Sequence, residues 1–303
     1  MKKRNLLISV VAPVYNNARH LPLLLEEIRQ SGGGYRYEVI FTDDGSPDDS
    51  WQVIAQLARL NDKSCTVRGL KLSRNFGQHA AIYAGLSHAR GDYVVVLDAD
   101  LQDDPVYIPE LIAKAQAGFD VVHTQRVKKR RSLRRFISEI VYRILTIGSE
   151  IPLHRGMGNY KLMSRRALAV MLEYREYPPL FELMAERAGF PAGFVEIRRR
   201  SRPVNVSAYR MADSFRFIAA LLFTYSSLLF RCFVVCGALL TLSGMAGLLW
   251  VVLGNAAVMT AVLLGITLQG GLILLVGGII GLHVRSAQRA ARSWPIFTVD
   301  KII

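Results

Sequence analysis

Two aspartates, separated by a single residue, follow a run of β-forming residues in the first third of the sequence. The run YVVVL begins at Tyr93, and Asp98 and Asp100 come directly after it. An apolar run that stops at carboxylates is typical of a buried parallel strand, and in open α/β sheets ligands bind at the C-terminal ends of the strands. Carboxylate oxygens at this spacing suit Mg²⁺ or Mn²⁺ rather than zinc. The spacing therefore predicts a divalent metal site that also receives a diphosphate.

The same acidic stretch also has a purely structural interpretation, a solvated loop that starts the next helix. Asp104 before Pro105 has the residue types of a helix N-cap and a first helical position. At least one of the four carboxylates between Asp98 and Asp104 is therefore expected to be structural.

The elements that must position these residues alternate between strand and helix. Apolar runs predict strands at 6–12, 37–42, 67–72, 93–97 and 120–124, and the segments between them predict helices at 21–30, 49–61, 78–89 and 105–117. This alternation implies a mostly parallel sheet with right-handed crossovers. Because parallel strands end at one edge, Pro13 to Asn17, Asp43 and Arg74 are expected to meet Asp98 to Gln102 there.

Residues gathered at that edge would form a site for a nucleoside diphosphate. Asp43 could accept hydrogen bonds from a base or a ribose, or it could be a structural residue of its turn. Asp44 and Ser46 are expected to shape the turn.

The composition indicates a membrane protein. The chain has 303 residues, a formal charge of +14 and 51% hydrophobic residues. No charged residue occurs from Cys232 to Val284, a length of about 80 Å as helix, which suits two crossings of a ~30 Å hydrocarbon core. We predict spans at 232–253 and 256–282. Arginines flank only the outer ends, so both ends of the hairpin are predicted to be cytoplasmic.

Two further features bear on partners. Seven of the ten residues from Arg126 to Arg135 are cationic, a composition typical of a solvated loop, of a nucleic-acid contact or of a phosphate contact at a bilayer. We favour the bilayer, with Arg126 as the site residue, and expect no nucleic acid, because carboxylates crowd the edge where a polyanion would bind. Glycines in the spans would allow helix pairing or a homo-oligomer, although glycine is common in membrane helices.

Four motifs together resemble a known family. They are SVVAPVYN at 9–16, TDDGS at 42–46, SRNFG at 73–77 and DADLQ at 98–102. In this order and spacing they resemble the inverting glycosyltransferases of family 2, and more narrowly the polyprenyl-phosphate glycosyltransferases akin to dolichyl-phosphate mannose synthase. The tail at 292–299 resembles the cytoplasmic end of the two-span bacterial members.

The resemblance implies a domain plan and a set of roles. It implies a GT-A-type, Rossmann-like α/β domain at 1–208, two transmembrane helices at 231–284 and a cytoplasmic tail at 285–303. The residue pattern at 209–230 predicts a juxtamembrane amphipathic region, which would lie in the membrane interface or pack as a helix on the soluble domain. The nucleotide would contact Pro13, Tyr15, Asn17, Asp43, Arg74 and Asp98. The metal would be held by Asp98, Asp100 and Gln102, and the acceptor phosphate by Arg126, Arg134, Ser138, Arg202, Ser207 and Tyr209.

Relatives often carry Asp-Phe-Arg where this chain has Asn159-Tyr160-Lys161, and an asparagine cannot act as a base. A lipid phosphate would not need one, because the second pKa of a phosphate monoester is about 6. A metal on Asp98 and Asp100 would then stabilise the leaving nucleoside diphosphate, and Arg126, Arg134 and Arg202 would offset repulsion between the two substrates.

We therefore expect a bacterial inner-membrane enzyme that transfers a sugar from a nucleotide-diphosphate sugar to a polyprenyl phosphate, using Mg²⁺ or Mn²⁺. One alternative is a processive polysaccharide synthase, although two spans cannot line a channel alone. Another is a membrane-anchored protein that binds nucleotides without turnover.

Overall fold

The computed structural model describes residues 6–60, 62–126, 158–174, 181, 189–198, 200 and 295–303, with scattered helical residues between 235 and 287. The chain divides into two compact units. The first comprises Met1–Lys129, Ile151–Asn205 and Ser293–Ile303, and the second Arg130–Glu150 and Val206–Arg292. Within the described residues no helix has the length and apolar character needed to cross a bilayer, and the spans predicted at 232–253 and 256–282 lie mostly outside those residues.

One eight-stranded sheet forms the centre of the first unit, in the order β7-β5-β6-β4-β1-β2-β3-β8. Its strands are Leu7–Val14 (β1), Arg36–Asp43 (β2), Cys65–Leu72 (β3), Tyr93–Val96 (β4), Val121–Arg126 (β5), Lys161–Ser164 (β6), Ala192–Ile197 (β7) and Val299–Ile302 (β8). Strands β1 to β4 pair in parallel, as do β5 and β7, whereas β6 and β8 are antiparallel to their neighbours. The predicted α/β sheet is confirmed, and it is mixed.

The described residues form five α-helices, at Leu21–Gln30 (α1), Ser50–Ala58 (α2), Gln78–His88 (α3), Ile108–Gln116 (α4) and Arg165–Glu173 (α5). In α1 the residues Leu21, Leu24, Leu25 and Ile28 are buried, which is the i, i+3, i+4, i+7 spacing of an apolar helix face. Gly32 follows with a φ of 86°, a conformation that glycine adopts readily and that commonly ends a helix.

Helices cover both faces of the sheet. Ile8 and Val10 of β1 lie in a buried cluster with residues of α1, α2 and α4. Val11, which points to the opposite face, lies in a second cluster with residues of α3 and α5. Burial on both faces explains why the central strands are continuously apolar, and each fully buried aliphatic side chain stabilises the fold by about 1.5–3 kcal/mol.

Three strands, β6, β7 and β8, and one turn were not part of the sequence prediction. β6 is a short strand that begins with the buried Lys161, and β8 is an exposed edge strand, so neither has the apolar pattern of the central strands. The helix predicted from Pro105 begins as a 3₁₀ turn, Pro105–Tyr107, before α4. Asp104 caps this turn as predicted, accepting a hydrogen bond from the backbone N–H of Val106 at 3.1 Å.

A buried polar network fastens the turn before β4 to the sheet. Glu38 is 3% exposed, and its carboxylate accepts hydrogen bonds from Ser9 Oγ at 2.6 Å and from the backbone N–H of Arg90 at 2.9 Å. Arg68 Nη1 lies 2.9 Å from the same carboxylate. The hydrogen bonds and the ion pair together offset the desolvation of a buried charge, so removing the carboxylate leaves the partly buried arginine without its counter-ion.

Replacing Glu38 by alanine is expected to lower the free energy of unfolding by about 3–5 kcal/mol, because one partner of a buried ion pair is lost. Glu196→Ala in β7 is the matched control. It removes an exposed carboxylate and is expected to change the free energy of unfolding by less than about 0.5 kcal/mol. Urea unfolding of both variants in detergent measures the difference, and equal stabilities would contradict the role given to Glu38.

Candidate functional site

The central strands bring the predicted nucleotide and metal carboxylates to one edge of the sheet. In the parallel pair of β1 and β2, Val14 lies opposite Asp43. In the parallel pair of β1 and β4, Val11 lies opposite Val96, which is the last residue of β4. Asp98 therefore follows its strand at the same edge as Asp43, as the strand pattern predicts.

The acidic loop after β4 is shaped by hydrogen bonds among its own residues. Asp103 is 4% exposed, and its Oδ2 accepts the backbone N–H of Asp98 at 3.3 Å. Gln102 donates twice to Asp100, from its backbone N–H at 3.1 Å and from its side-chain amide at 2.8 Å. Leu101 has a φ of 61°, a left-handed conformation that a leucine adopts only where surrounding contacts impose it.

Two side-chain amides hold the carboxylate of Asp98. Gln78 Nε2, at the start of α3, donates to Asp98 Oδ1 at 2.7 Å. Asn159 Nδ2, just before β6, donates to the same oxygen at 3.3 Å. Two donors on one oxygen restrict the rotation of the carboxylate, so both amides orient Asp98.

Asp43, the last residue of β2, is completely buried, with 0% exposure. Its Oδ1 accepts the backbone N–H of Ser46 at 3.1 Å, whereas its Oδ2 is buried without a hydrogen-bond partner among the described atoms. Burial raises the pKa of Asp43 above its ordinary value of 3.8, an effect that the Ser46 hydrogen bonds partly oppose. A buried acceptor without a partner is suited to a ligand that donates a hydrogen bond.

Asp44 does more than shape its turn, because it fixes the SRNFG loop. Its two carboxylate oxygens accept the backbone N–H groups of Phe76 at 2.7 Å and Gly77 at 2.9 Å. The loops approach so closely that a Cβ on Gly45 would lie 2.8 Å from backbone atoms of Arg74 and Asn75. The guanidinium of Arg74 lies 4.1 Å from the centre of the Phe76 ring and is exposed.

The loop after β1 is fastened to the loop after β2. The backbone N–H groups of Asn16 and Asn17 donate to Ser46 Oγ and Ser50 Oγ, each at 3.2 Å. The side-chain amide of Asn17 donates to the carbonyl of Tyr15 at 3.0 Å. Pro13 is buried near the end of β1, and Tyr15, which follows the strand, is 46% exposed. The structure thus brings Tyr15 and Asn17 to the edge that carries Asp43.

The predicted acceptor residues are only partly described. Arg126 closes β5, where its backbone pairs with Ile197 of β7. Arg134, Ser138, Arg202, Ser207 and Tyr209 lie outside the described residues, and their roles remain predictions.

Several residues at this edge were not predicted from the sequence. Gln78 and Asp103 hold Asp98, and their only sequence signal is a polar residue next to a strand end or a helix start. Lys161 is 0% exposed, lies opposite Val96 in the β4–β6 pair, and has its ammonium 4.7 Å from the centre of the Phe181 ring. A lysine at the start of the short strand β6, whose sequence is KLMS, gives no sequence signal that its side chain is buried near this edge.

Asp98 and Asp100 fit a divalent cation in their chemistry. Both carboxylates are half-buried, and Asp100 makes no ion pair with a described residue. Carboxylate oxygens are the ligands that Mg²⁺ and Mn²⁺ prefer. Among the residues that the structure describes, no group of three or more His, Cys, Asp or Glu is placed to hold a metal. A metal here would therefore take further oxygens from a bound diphosphate or from water, as Mg²⁺ commonly does.

Residues 9–171, which contain all four sequence motifs and most of this edge, match the profile of Glycosyl transferase family 2. The chain belongs to glycosyl transferase family 2. The resemblance predicted from the motifs is confirmed, and the protein is a glycosyltransferase.

The most similar relatives include two proteins that carry one name, undecaprenyl-phosphate 4-deoxy-4-formamido-L-arabinose transferase. The protein from Klebsiella pneumoniae is 34% identical over 81% of this chain and 76% of its own length. The protein from Photorhabdus laumondii is 30% identical over 98% of this chain and 94% of its own length.

Solved structures of glucosyl-3-phosphoglycerate synthase from Mycobacterium tuberculosis share the fold. One is a complex with phosphoglyceric acid, with a TM-score of 0.53 and 21% identity over 73% of this glycosyltransferase and 80% of the other chain. A second contains Mn²⁺, UDP-glucose and phosphoglyceric acid, with a TM-score of 0.53 and 20% identity over the same shares. At this identity the likeness supports the GT-A-type fold alone.

Replacing Asp43 by asparagine is expected to weaken binding of the nucleoside diphosphate about 10–100-fold. The substitution replaces one carboxylate oxygen by an NH₂ group, so a donor faces the hydrogen-bond donor of the ligand. Isothermal titration with UDP and with GDP measures the loss. Asp92→Asn, before β4, is the control, because Asp92 bonds the backbone of Leu7 and lies away from this edge. Equal affinities of the two variants would exclude Asp43 from the nucleotide site.

The same substitution has a pH signature in stability. Because burial raises the pKa of Asp43 in the folded state, its ionised form opposes folding above that pKa. Asp43→Asn is therefore expected to raise the melting temperature at pH 7, with the gain disappearing as the pH falls towards the ordinary value of 3.8. For Asp48, burial is outweighed by hydrogen bonds from Ser50 and Ala18, which lower its pKa, so Asp48→Asn is expected to lower the melting temperature at pH 7. Shifts of the same sign in both variants would contradict this assignment.

Proposed function

We propose that this glycosyltransferase moves a sugar from a nucleotide-diphosphate sugar to a polyprenyl phosphate at the cytoplasmic face of a bacterial plasma membrane. The observation that carries the proposal is the pairing, at one sheet edge, of a buried Asp43 carboxylate with the Asp98–Asp100 pair. The names of the relatives support undecaprenyl phosphate as the acceptor, since those proteins match 81% and 98% of this chain.

The donor half of the proposal assigns each carboxylate one task. Asp43 would bind the base or the ribose through its buried oxygen, and Asp98 and Asp100 would hold a divalent metal. When bound, the metal supplies positive charge that stabilises the leaving nucleoside diphosphate. The Mn²⁺ and UDP-glucose bound to a protein of the same fold support this arrangement. Gln78 and Asn159 orient Asp98 for that task.

The acceptor half requires no general base. Asn159 is an amide that cannot act as a base, and its Nδ2 donates to Asp98. His79, the neighbour of Gln78, has its pKa lowered to about 4 by burial and by the nearby Lys161, so it is a neutral and weak base at pH 7. A phosphate monoester with a pKa of about 6 is already a dianion at pH 7, and its oxygen can attack without losing a proton.

The proposed reaction is a single inverting displacement. An acceptor phosphate oxygen forms a bond to the anomeric carbon while the bond from that carbon to the diphosphate oxygen breaks, and the electron pair leaves with the nucleoside diphosphate. Attack from the face opposite the leaving group inverts the anomeric centre. Arg126, Arg134 and Arg202 would offset the charge of the two phosphate groups as they approach.

Two membrane crossings are supported by the sequence and by the position of β8. Residues 232–284 contain no charged side chain. The chain leaves the first unit after Asn205 and returns to it at Ser293. A few residues later, β8 pairs with β3. A segment that begins and ends on one globular unit crosses a bilayer an even number of times. The flanking arginines then favour the cytoplasm for that unit.

Membranes containing the protein are expected to convert a radiolabelled nucleotide sugar into a lipid-linked monosaccharide only when polyprenyl phosphate is added. A screen of UDP- and GDP-linked sugars, with the lipid products separated by chromatography, identifies the donor. EDTA should abolish the product and Mn²⁺ or Mg²⁺ should restore it. Asp98→Asn is expected to lower kcat at least about 100-fold, because one metal carboxylate is lost.

The matched control is Asp92→Asn at the opposite end of β4, which is expected to keep full activity. Activity of Asp98→Asn with the metal chelated would refute the metal mechanism. A polymeric product would instead identify a processive synthase, and nucleotide binding without turnover would identify a binding protein.

A further inference from the structure

The chain that leaves β7 is fastened to the acidic loop and its 3₁₀ turn at three points. The backbone N–H of Arg198 donates to the hydroxyl of Tyr107 at 3.1 Å. The backbone N–H of Arg200 donates to the carbonyl of Gln102 at 3.2 Å. The guanidinium of Arg200 lies 2.8 Å from Asp104 Oδ2. We call these three contacts, with the ion pair to Glu27 described next, the β7 latch.

Arg200 also reaches a third element. Its Nη1 lies 2.6 Å from Glu27 Oε1 on α1, while its Nη2 bonds Asp104. Glu27 and then Asp104 raise the pKa of the guanidinium, which stays charged at any pH at which the protein folds. A planar guanidinium that bridges two carboxylates fixes their separation and direction, whereas a lysine would present a single point charge.

The exposure of these side chains indicates a geometric role rather than a large gain in stability. The Arg200 side chain is 42% exposed, against 20% for Glu27 and 21% for Asp104. Exposed ion pairs contribute little to folding. What the latch does provide is a defined distance between the end of β7 and the acidic loop.

The latch reaches the candidate metal carboxylates through one residue. Gln102 accepts the backbone N–H of Arg200 and itself donates to both oxygens of Asp100. A shift of Arg200 would therefore move the peptide that positions Asp100. In the other direction along the chain, Arg202 is two residues away, and the sequence predicts that it contacts the acceptor phosphate.

We propose that Arg200 is a positioning residue that holds the chain leaving β7, which leads to Arg202, and the acidic loop in one arrangement. It touches neither substrate, and it acts through Gln102 and Asp104. This inference rests on the proposed function for its acceptor, and the experiment separates the failure of one from the failure of the other.

The kinetic test compares Arg200→Gln, Arg200→Lys and the control Arg198→Gln. Arg198 contributes a backbone contact, and its guanidinium makes no ion pair with a described residue. In Arg200→Gln the KM for polyprenyl phosphate is expected to rise about tenfold, because the chain that leads to Arg202 loses its anchor. Both kcat and the rate of hydrolysis of the nucleotide sugar by water are expected to fall about tenfold, because Asp100 is displaced. Arg200→Lys should recover only part of the loss. The control should match the parent protein.

Hydrogen exchange gives a readout that does not depend on the acceptor. Mn²⁺ with UDP or GDP, whichever competes with the donor, is expected to slow exchange in the peptide that covers residues 192–200, and Arg200→Gln should lose this protection while Arg198→Gln keeps it. A double variant combines Arg200→Gln with Asp104→Asn, and asparagine at 104 can still cap the turn. Because both residues act in one contact, the double variant should lose no more protection than the single variant that loses more.

The outcomes are distinct. A parent protein that shows ligand-induced protection of residues 192–200 but transfers no sugar to polyprenyl phosphate would refute the proposed acceptor and leave the latch supported by the exchange data. Protection and kinetic constants in Arg200→Gln equal to those in Arg198→Gln would overturn the latch, as would a parent protein without protection.

Discussion

The site edge depends on hydrogen bonds that pass from one loop to the next. Asp48 accepts the backbone N–H of Ala18 in the loop after β1, Asp44 accepts two N–H groups of the loop after β3, and Gln78 carries the connection to Asp98. Carboxylates are strong acceptors for N–H donors, so each loop fixes the position of its neighbour. The parallel register supplies the common edge, and these bonds convert separate loops into one rigid surface.

The buried carboxylate and the strained backbone at this edge destabilise the fold, so the rest of the first unit must offset their cost. Asp43 has a raised pKa because it is buried, and Leu101 and Asn16 have positive φ angles of 61° and 56°. Such strain persists only where surrounding structure imposes it. The two buried clusters on either face of the sheet and the Glu38 network provide that support from the part of the fold that carries no substrate.

Much of this arrangement was predictable, because the central strands combine apolar runs with polar ends. The strands from β1 to β5 and the helices between them follow the sequence pattern, and with them the placement of Asp43 and Asp98. What escaped prediction is determined by tertiary contacts. β8 pairs with β3 from the far end of the chain, Lys161 is buried in a strand that its charge argues against, and Arg200 is an ordinary member of an arginine run until its two carboxylate partners are seen.

The pairing of β8 with β3 also sets an order on biosynthesis. The first unit contains residues on both sides of the segment 206–292, so a nascent chain that has completed β1 to β7 still lacks one edge strand. Domains fold as the ribosome releases them, N-terminal parts first, and an open strand edge is a site for unwanted pairing with other chains. The edge of β3 therefore closes only after residues 206–292 have been synthesised, so completion of the sheet waits for the last strand of the chain.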